Sequence, residues 1–371
     1  VFLPRITLCF SLRMQGKKIK MDDEIITIQN NEVLINNIVD SDIQRIVRPL
    51  NMSQSLFLHS KFNIRDNFVT PRHTVQNIGA FCFLLIAIVS RVWCFVMLNY
   101  VVHSSSFLMK LGEMTVTVIY SSAFISHTLN TVQTSDKHVE FVLILQEINK
   151  HLNLNRKHLS LFVFKCWVST ITLTLLYLFF FLDYLIYSDV STLSFWFYFG
   201  IFTNLCLQLN ILYAYKIIKL LRKYLVLWLD DIDGNHQQKI PTQIHMTSDI
   251  VNVDWKNYFY IYTKILEVYD LYNTLFGVSE FSLMAFLILL LQKCEKFYLT
   301  IYKAKSICSM KAVSSASDEE RQMCKNVLRL TDAAFSKMTA CGMFVIDGEF
   351  LALFAGTVAT YTVVLLQFAF L

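Results

Sequence analysis

Near its middle the chain runs ITLTLLYLFFFLDYLIY, Ile171 to Tyr187, the densest part of an apolar stretch that begins at Leu161. A helix of that length crosses the roughly 30 Å hydrocarbon core of a bilayer, with every backbone polar group satisfied internally. The run is too long and too continuous for the alternating pattern of a barrel strand. Five further stretches approach the same length: about Ile78 to Val102, broken by Arg91, then about Gly112 to Thr131, Leu193 to Tyr215, Leu271 to Leu291 and Met343 to Leu371. Hydrophobic residues make up 55% of the chain and charged ones only 16%. A soluble domain carries about 25% charge, so this chain is short of polar surface with which to cover itself. The fold class these features predict is an all-α integral membrane protein, a polytopic helical bundle.

Lys and Arg set the expected orientation. Residues 1–77 hold ten of them, the connections 103–111, 132–160, 188–192 and 216–270 hold one, four, none and seven, and high counts alternate with low. The alternation puts the N-terminus in the cytoplasm, with 1–77 as a cytoplasmic segment and 78–371 as the transmembrane domain. It then breaks, because five spans leave the chain outside while residues 292–342 carry nine more basic residues. The stretch Cys294 to Val313 is the candidate for a degraded, truncated or mis-spliced sixth span. Its Glu295, Lys296, Lys303, Lys305 and Lys311 are costly for a lipid-facing helix, and an amphipathic helix on the membrane surface is the alternative.

Little else in the sequence points to chemistry. The opening VFLPRITLCF lacks a small-residue cleavage site and runs into Lys17, Lys18 and Lys20, so it is not expected to act as a secretory leader. Nine Cys occur without a CxxC pair and nine His without an HExxH spacing, so neither a disulfide framework nor a metal site is expected, and no cofactor. The net charge of +5 is small, and no nucleic-acid partner is expected. "LDDIDGN", Leu229 to Asn235, puts Leu229 and Ile240 where a calcium loop needs acidic ligands, and it is read as a cytoplasmic turn. No span carries paired carboxylates, none of the four Pro breaks a clear span, and no internal repeat is visible. A membrane enzyme or transporter of unknown substrate therefore stands only as an alternative.

The last apolar run carries polar residues that demand an account. Thr360, Val364, Gln367 and Leu371 fall on one helical stripe, and Tyr361, Leu365 and Phe368 on the next. An amide in hydrocarbon needs a partner or water. Gln367 either lines a wet path or reaches the outer interface.

The stretch Phe335 to Phe368, FSKMTACGMFVIDGEFLALFAGTVATYTVVLLQF, resembles the C-terminal end of insect gustatory receptors. Thr360 and Tyr361 match the opening pair of that family's last helix, Thr362 to Leu366 its mostly hydrophobic middle, and Gln367 and Phe368 its close. The approach ACGMFVID, Ala340 to Asp347, and the segment IVRPL, Ile46 to Leu50, are of the family's type. The resemblance implies a seven-span, plasma-membrane chemoreceptor that works as a ligand-gated non-selective cation channel. It implies homo- or hetero-tetrameric assembly around the last helices, in membrane lipid, with a small-molecule tastant as ligand. It puts Gln367 on the water path, Phe368 or Val364 at the narrowing, and Thr360 and Tyr361 among the pore or gate residues. Members that recognise sugars usually carry Glu directly after the Thr-Tyr pair, and Thr362 in that place directs the resemblance to other branches. The six spans counted above fall one short of the family's seven, which leaves a truncated, non-functional receptor open. The family's pocket lies in the outer leaflet among the earlier spans, where Tyr120, Tyr177, Trp196 and Tyr198 are candidate ligand contacts. Rings with a polar tip suit partly polar tastants, but at span ends they also form interfacial belts.

Overall fold

Helix α1 (Ser41–Ser55) buries Ile43, Ile46, Val47 and Leu50, the i, i+3, i+4, i+7 pattern that places one apolar stripe against the core. The computed structural model describes residues 37–101, 107–152, 156–187, 192–237, 254–276, 284–314, 317–340 and 344–370, and Val39–Leu371 forms one unit. A small antiparallel hairpin follows α1, β1 (Asn63–Arg65) and β2 (Phe68–Thr70), paired Arg65 to Phe68. Its two-residue turn takes Asp66 and Asn67 to φ of 51° and 69°, the left-handed pair that such hairpins demand. Then come α2 (Thr74–Val101), α3 (Phe107–Gln133), α4 (Ser135–Leu152), α5 (Arg156–Tyr187), α6 (Thr192–Gln237), α7 (Trp255–Phe276), α8 (Met284–Val313) and α9 (Asp318–Ala334). A second hairpin, β3 (Thr339–Ala340) and β4 (Phe344–Val345), leads into α10 (Gly348–Phe370).

Helix α6 is the spine. Its 46 residues span about 69 Å at 1.5 Å each, more than twice a hydrocarbon core. It packs against α2, α5, α7 and α8, and the residues from Leu205 to Ile232 are buried almost all round. The stretch Leu229 to Asn235, read from sequence as a turn, is its last part. The charges there obscure a helical repeat: Ile217, Leu221, Tyr224, Trp228 and Ile232 recur at intervals of three and four and are fully or nearly fully buried.

The main core gathers α1, α4, the start of α5, the second half of α6, α7, α8 and α9. Trp228 lies at its centre, its ring 4.8 Å from that of Tyr262 and its indole N–H donating to the Tyr258 carbonyl at 2.9 Å. Helix α9 starts on Ser317, whose Oγ accepts from the Glu320 N–H at 3.3 Å, and three acidic residues in its first turn suit the helix dipole. The Glu320 carboxylate turns inward to the Lys311 ammonium at 3.2 Å, and that ammonium also donates to the Ile232 carbonyl at 2.8 Å, tying α6, α8 and α9 together.

The charged run 294–313 falls inside α8. Cys294, Phe297, Tyr298, Ile301, Ala304, Ile307 and Cys308 are buried at helical spacing, while Lys296 and Lys303 are exposed. Its mixed composition thus comes from packing on α6 and α9, which explains the charge without a surface-lying helix. The apolar stretch read as Leu271 to Leu291 divides between the end of α7 and the start of α8, and 277–283 lie outside the described residues.

The other end is different in kind. Among the described residues, Thr74–Trp93 of α2, Leu159–Asp183 of α5 and Phe199–Asp233 of α6 are long and apolar enough to cross a membrane. Only 28% of the α5 window is buried, and Leu175, Phe179, Phe180 and Ile186 point outward. With apolar surface on that scale, the molecule is an all-α membrane protein, its two short hairpins aside.

Candidate functional site

Among the described residues, the contacts that tie helix α10 to the rest of the chain gather at its beginning. The Tyr298 hydroxyl of α8 donates to the Ile346 carbonyl at 3.2 Å and accepts from the Met338 N–H at 3.1 Å, clasping both arms of the second hairpin. Asp347 caps α10 through the Phe350 N–H at 3.2 Å and receives the Lys337 ammonium at 2.9 Å. That hydrogen bond holds the Asp347 carboxyl below its ordinary range and raises Lys337. Beyond the cap, Leu353, Thr360, Tyr361, Val363, Val364 and Gln367 are exposed, Tyr361 by 67%. Among the described residues, the sequence-predicted Thr360, Tyr361, Val364 and Gln367 are thus left exposed. Thr360 satisfies its hydroxyl on the Gly356 carbonyl at 2.9 Å. Phe368 is on the same helix, its side chain outside the described residues.

A second constellation lies where α2, α3 and α6 meet. Arg91 donates to the Gly200 carbonyl at 3.2 Å, the Thr203 hydroxyl at 3.3 Å and the Asn204 Oδ1 at 2.5 Å. Its guanidinium stands 5.2 Å from the centre of the Tyr120 ring, a cation–π contact worth about 0.5–2 kcal/mol. Arg91, Tyr120 and Thr203 border a cleft of about 10 Å³ that is otherwise lined by Ala87, Ile88, Ser121, Phe124 and Leu207. That volume holds about one water molecule.

Of the predicted ligand contacts, the fold thus brings Tyr120 onto Arg91. Tyr177 packs on the neighbouring cluster of Leu173, Leu205, Leu209 and Leu212, along the same stretch of α6. Trp196 and Tyr198 stand in the first turns of α6, with side chains outside the described residues. Sequence reading overlooked Thr203, Asn204 and Gln208. The signal was there: polar residues inside the apolar FTNLCLQLN of a span, where each needs a partner. For metal ions, three potential ligands converge nearby, His59, His127 and Cys206.

Residues 335–371 match the family model of the 7tm chemosensory receptors. No curated protein matches the chain. The match covers the second hairpin, the Asp347 cap and all of α10, the stretch on which the resemblance to insect gustatory receptors rests. It supports a chemoreceptor.

Proposed function

We propose that this chain is a gustatory-type receptor subunit, embedded in the plasma membrane with a cytoplasmic N-terminus, that conducts cations when a small tastant binds. The observation that carries the reading is α10: an apolar helix anchored at one end by Tyr298 and Asp347, exposed at Leu353, Tyr361, Val363 and Gln367 beyond it, in the segment that matches chemosensory receptors. An apolar helix carrying an exposed Gln367 suits association with copies of itself, or with related subunits, around water. Four such helices would turn Gln367 amides to a conduit, where their oxygens replace part of a cation's hydration, and Val364 or Phe368 would close it by dewetting.

The Arg91–Tyr120–Asn204 constellation is our choice for the tastant. It offers a fixed cation, an aromatic face and amide groups beside apolar walls, a fit for a small ligand with an oxygen acceptor. The closed cleft admits only about one water, so a tastant enters by parting Arg91 from Asn204. That step couples occupancy to the position of α6.

Expression in a cell without chemoreceptors, with whole-cell currents recorded against a tastant panel, tests both halves. Gln367→Ala is expected to change cation permeability ratios, and Arg91→Met to shift the dose–response midpoint by tenfold or more. Permeability and conductance unchanged by substitutions at 364, 367 and 368 would refute the pore assignment. An unchanged midpoint in Arg91→Met would refute the ligand site alone.

A further inference from the structure

Between the spine and the first hairpin, three ligand-bearing side chains from three separate elements meet with no exposure to solvent: His59 before β1, His127 of α3 and Cys206 of α6. Their ring nitrogens and thiol sulfur lie within 4.8 Å of one another. The backbone delivers His59 inward. Leu58 takes φ of 57°, a conformation rare for a branched side chain, and the His59 N–H closes on the Gln54 carbonyl at 3.0 Å. The Leu58 carbonyl is then held by the Arg72 guanidinium at 2.7 Å.

The hydrogen bonds around His59 leave one lone pair poorly served. Its Nδ1 lies 2.6 Å from the Phe57 carbonyl, so that nitrogen carries the proton and Nε2 is the basic one. Nε2 faces the Thr128 hydroxyl at 3.0 Å, but that hydroxyl has one proton and also stands 2.9 Å from the Phe124 carbonyl. The ring of His127 is stacked 5.3 Å from that of His59, and both its nitrogens are buried without a hydrogen-bond partner. Two orphaned ring nitrogens are costly to bury. Proteins retain such a cost where something else pairs with the groups.

We propose that His59 Nε2, a ring nitrogen of His127 and the Cys206 thiolate bind one transition-metal ion of the zinc class. Two imidazoles and a thiolate are the donor set such ions prefer, and a backbone carbonyl on the far nitrogen of His59 is the usual support for a ligating ring. At bond lengths of about 2.0 Å to nitrogen and 2.3 Å to sulfur, tetrahedral ligand atoms stand roughly 3.3–3.7 Å apart. The donors must close by about 1 Å, and among the described residues no hydrogen bond holds the His127 ring against the turn this needs. The dication meets the ammonium of Lys61, which donates to Thr131 Oγ1 at 3.3 Å and lies over the Phe276 ring. The thiolate offsets one of the two charges brought in, which makes Cys206 indispensable. Spacing along the chain gave no hint, because the ligands come from a loop and two different helices.

The full-length protein in detergent, stripped by a chelator and titrated with Co²⁺ and then Zn²⁺, tests this. The expected result is a thiolate-to-cobalt charge-transfer band that saturates at one equivalent and is displaced by Zn²⁺. Cys206→Ser should abolish the band and His127→Phe should weaken Co²⁺ binding by tenfold or more, while Cys82→Ser, at an exposed thiol, leaves both unchanged. Chelation should lower the melting temperature of the parent protein but not of Cys206→Ser. A monodisperse parent protein with no thiolate band at one equivalent overturns the proposal, whatever the variants do. So does a band that survives in Cys206→Ser.

Discussion

The two ends of this molecule use the same helices under opposite solvent rules. From Tyr213 to Ile232, α6 is enclosed by α7, α8 and neighbours, and its large side chains reach zero exposure, as in the interior of a water-soluble bundle. Toward Thr192, the buried clusters shrink to four or five residues each, and α2 and α5 turn bulky apolar side chains outward. At the first end, packing against protein carries the stability. At the second, lipid takes the place of the missing neighbours, and helix contacts are left for polar matches such as Arg91 with Asn204. A receptor built this way has a rigid part that need not change and a loosely packed part that can.

Truncations separate the two ends most sharply. Trp228→Ala is expected to destabilise by about 3–5 kcal/mol, the range for emptying a fully packed aromatic site, whereas Phe179→Ala, 65% exposed, should cost less than about 0.5 kcal/mol. Thermal melts of the two variants in the same detergent measure the gap, and equal losses would erase the distinction. Next in size is the buried ion pair. Glu320→Gln leaves the Lys311 charge uncompensated at a cost of about 3 kcal/mol, while Glu320→Leu with Lys311→Met should return close to the parent value. A double variant as unstable as the single one would mean that the pair itself stabilises the bundle. The smallest effect belongs to the joint between the ends. Asp347→Ala removes the α10 cap for about 1 kcal/mol. Because the folded carboxyl titrates below the unfolded value of 3.8, this contribution is present above that value and is lost as pH falls through the lower one. Parent and variant should therefore converge in acid, read as melting temperature against pH.

The hydropathy of the chain revealed the lipid-exposed end and said little about the other. The starts of α2, α5 and α6 were readable to within a few residues, since nothing but a span explains runs like Leu161 to Tyr187. The second half of α6 and the part of α8 beyond Leu291 were not read as continuations of their helices because Lys216, Arg222, Lys296 and Lys303 dilute the local hydropathy. Their helical period was intact, and periodicity rather than mean apolarity is the right measure for a helix with a protein on one side and water on the other. For the candidate sites, spacing put Thr360, Val364 and Gln367 on one stripe of α10, while Tyr120 was named from where the family resemblance implies a pocket. Asn204 as the partner of Arg91 was not, and neither was the convergence of His59, His127 and Cys206, since each depends on how helices far apart in sequence are laid side by side.

The unbroken length of α6 makes it a lever. From Asn204, beside the Arg91 cleft, to Ile232, whose carbonyl receives Lys311, the axis runs about 42 Å without a hinge. Pivoted near Asn204, a tilt of about 5° sweeps the far end through about 4 Å, roughly two-thirds of a helical turn. Displacements too small to notice beside the cleft thus arrive magnified at the α8–α9 joint, on the same helix as the Tyr298 clasp that holds α10.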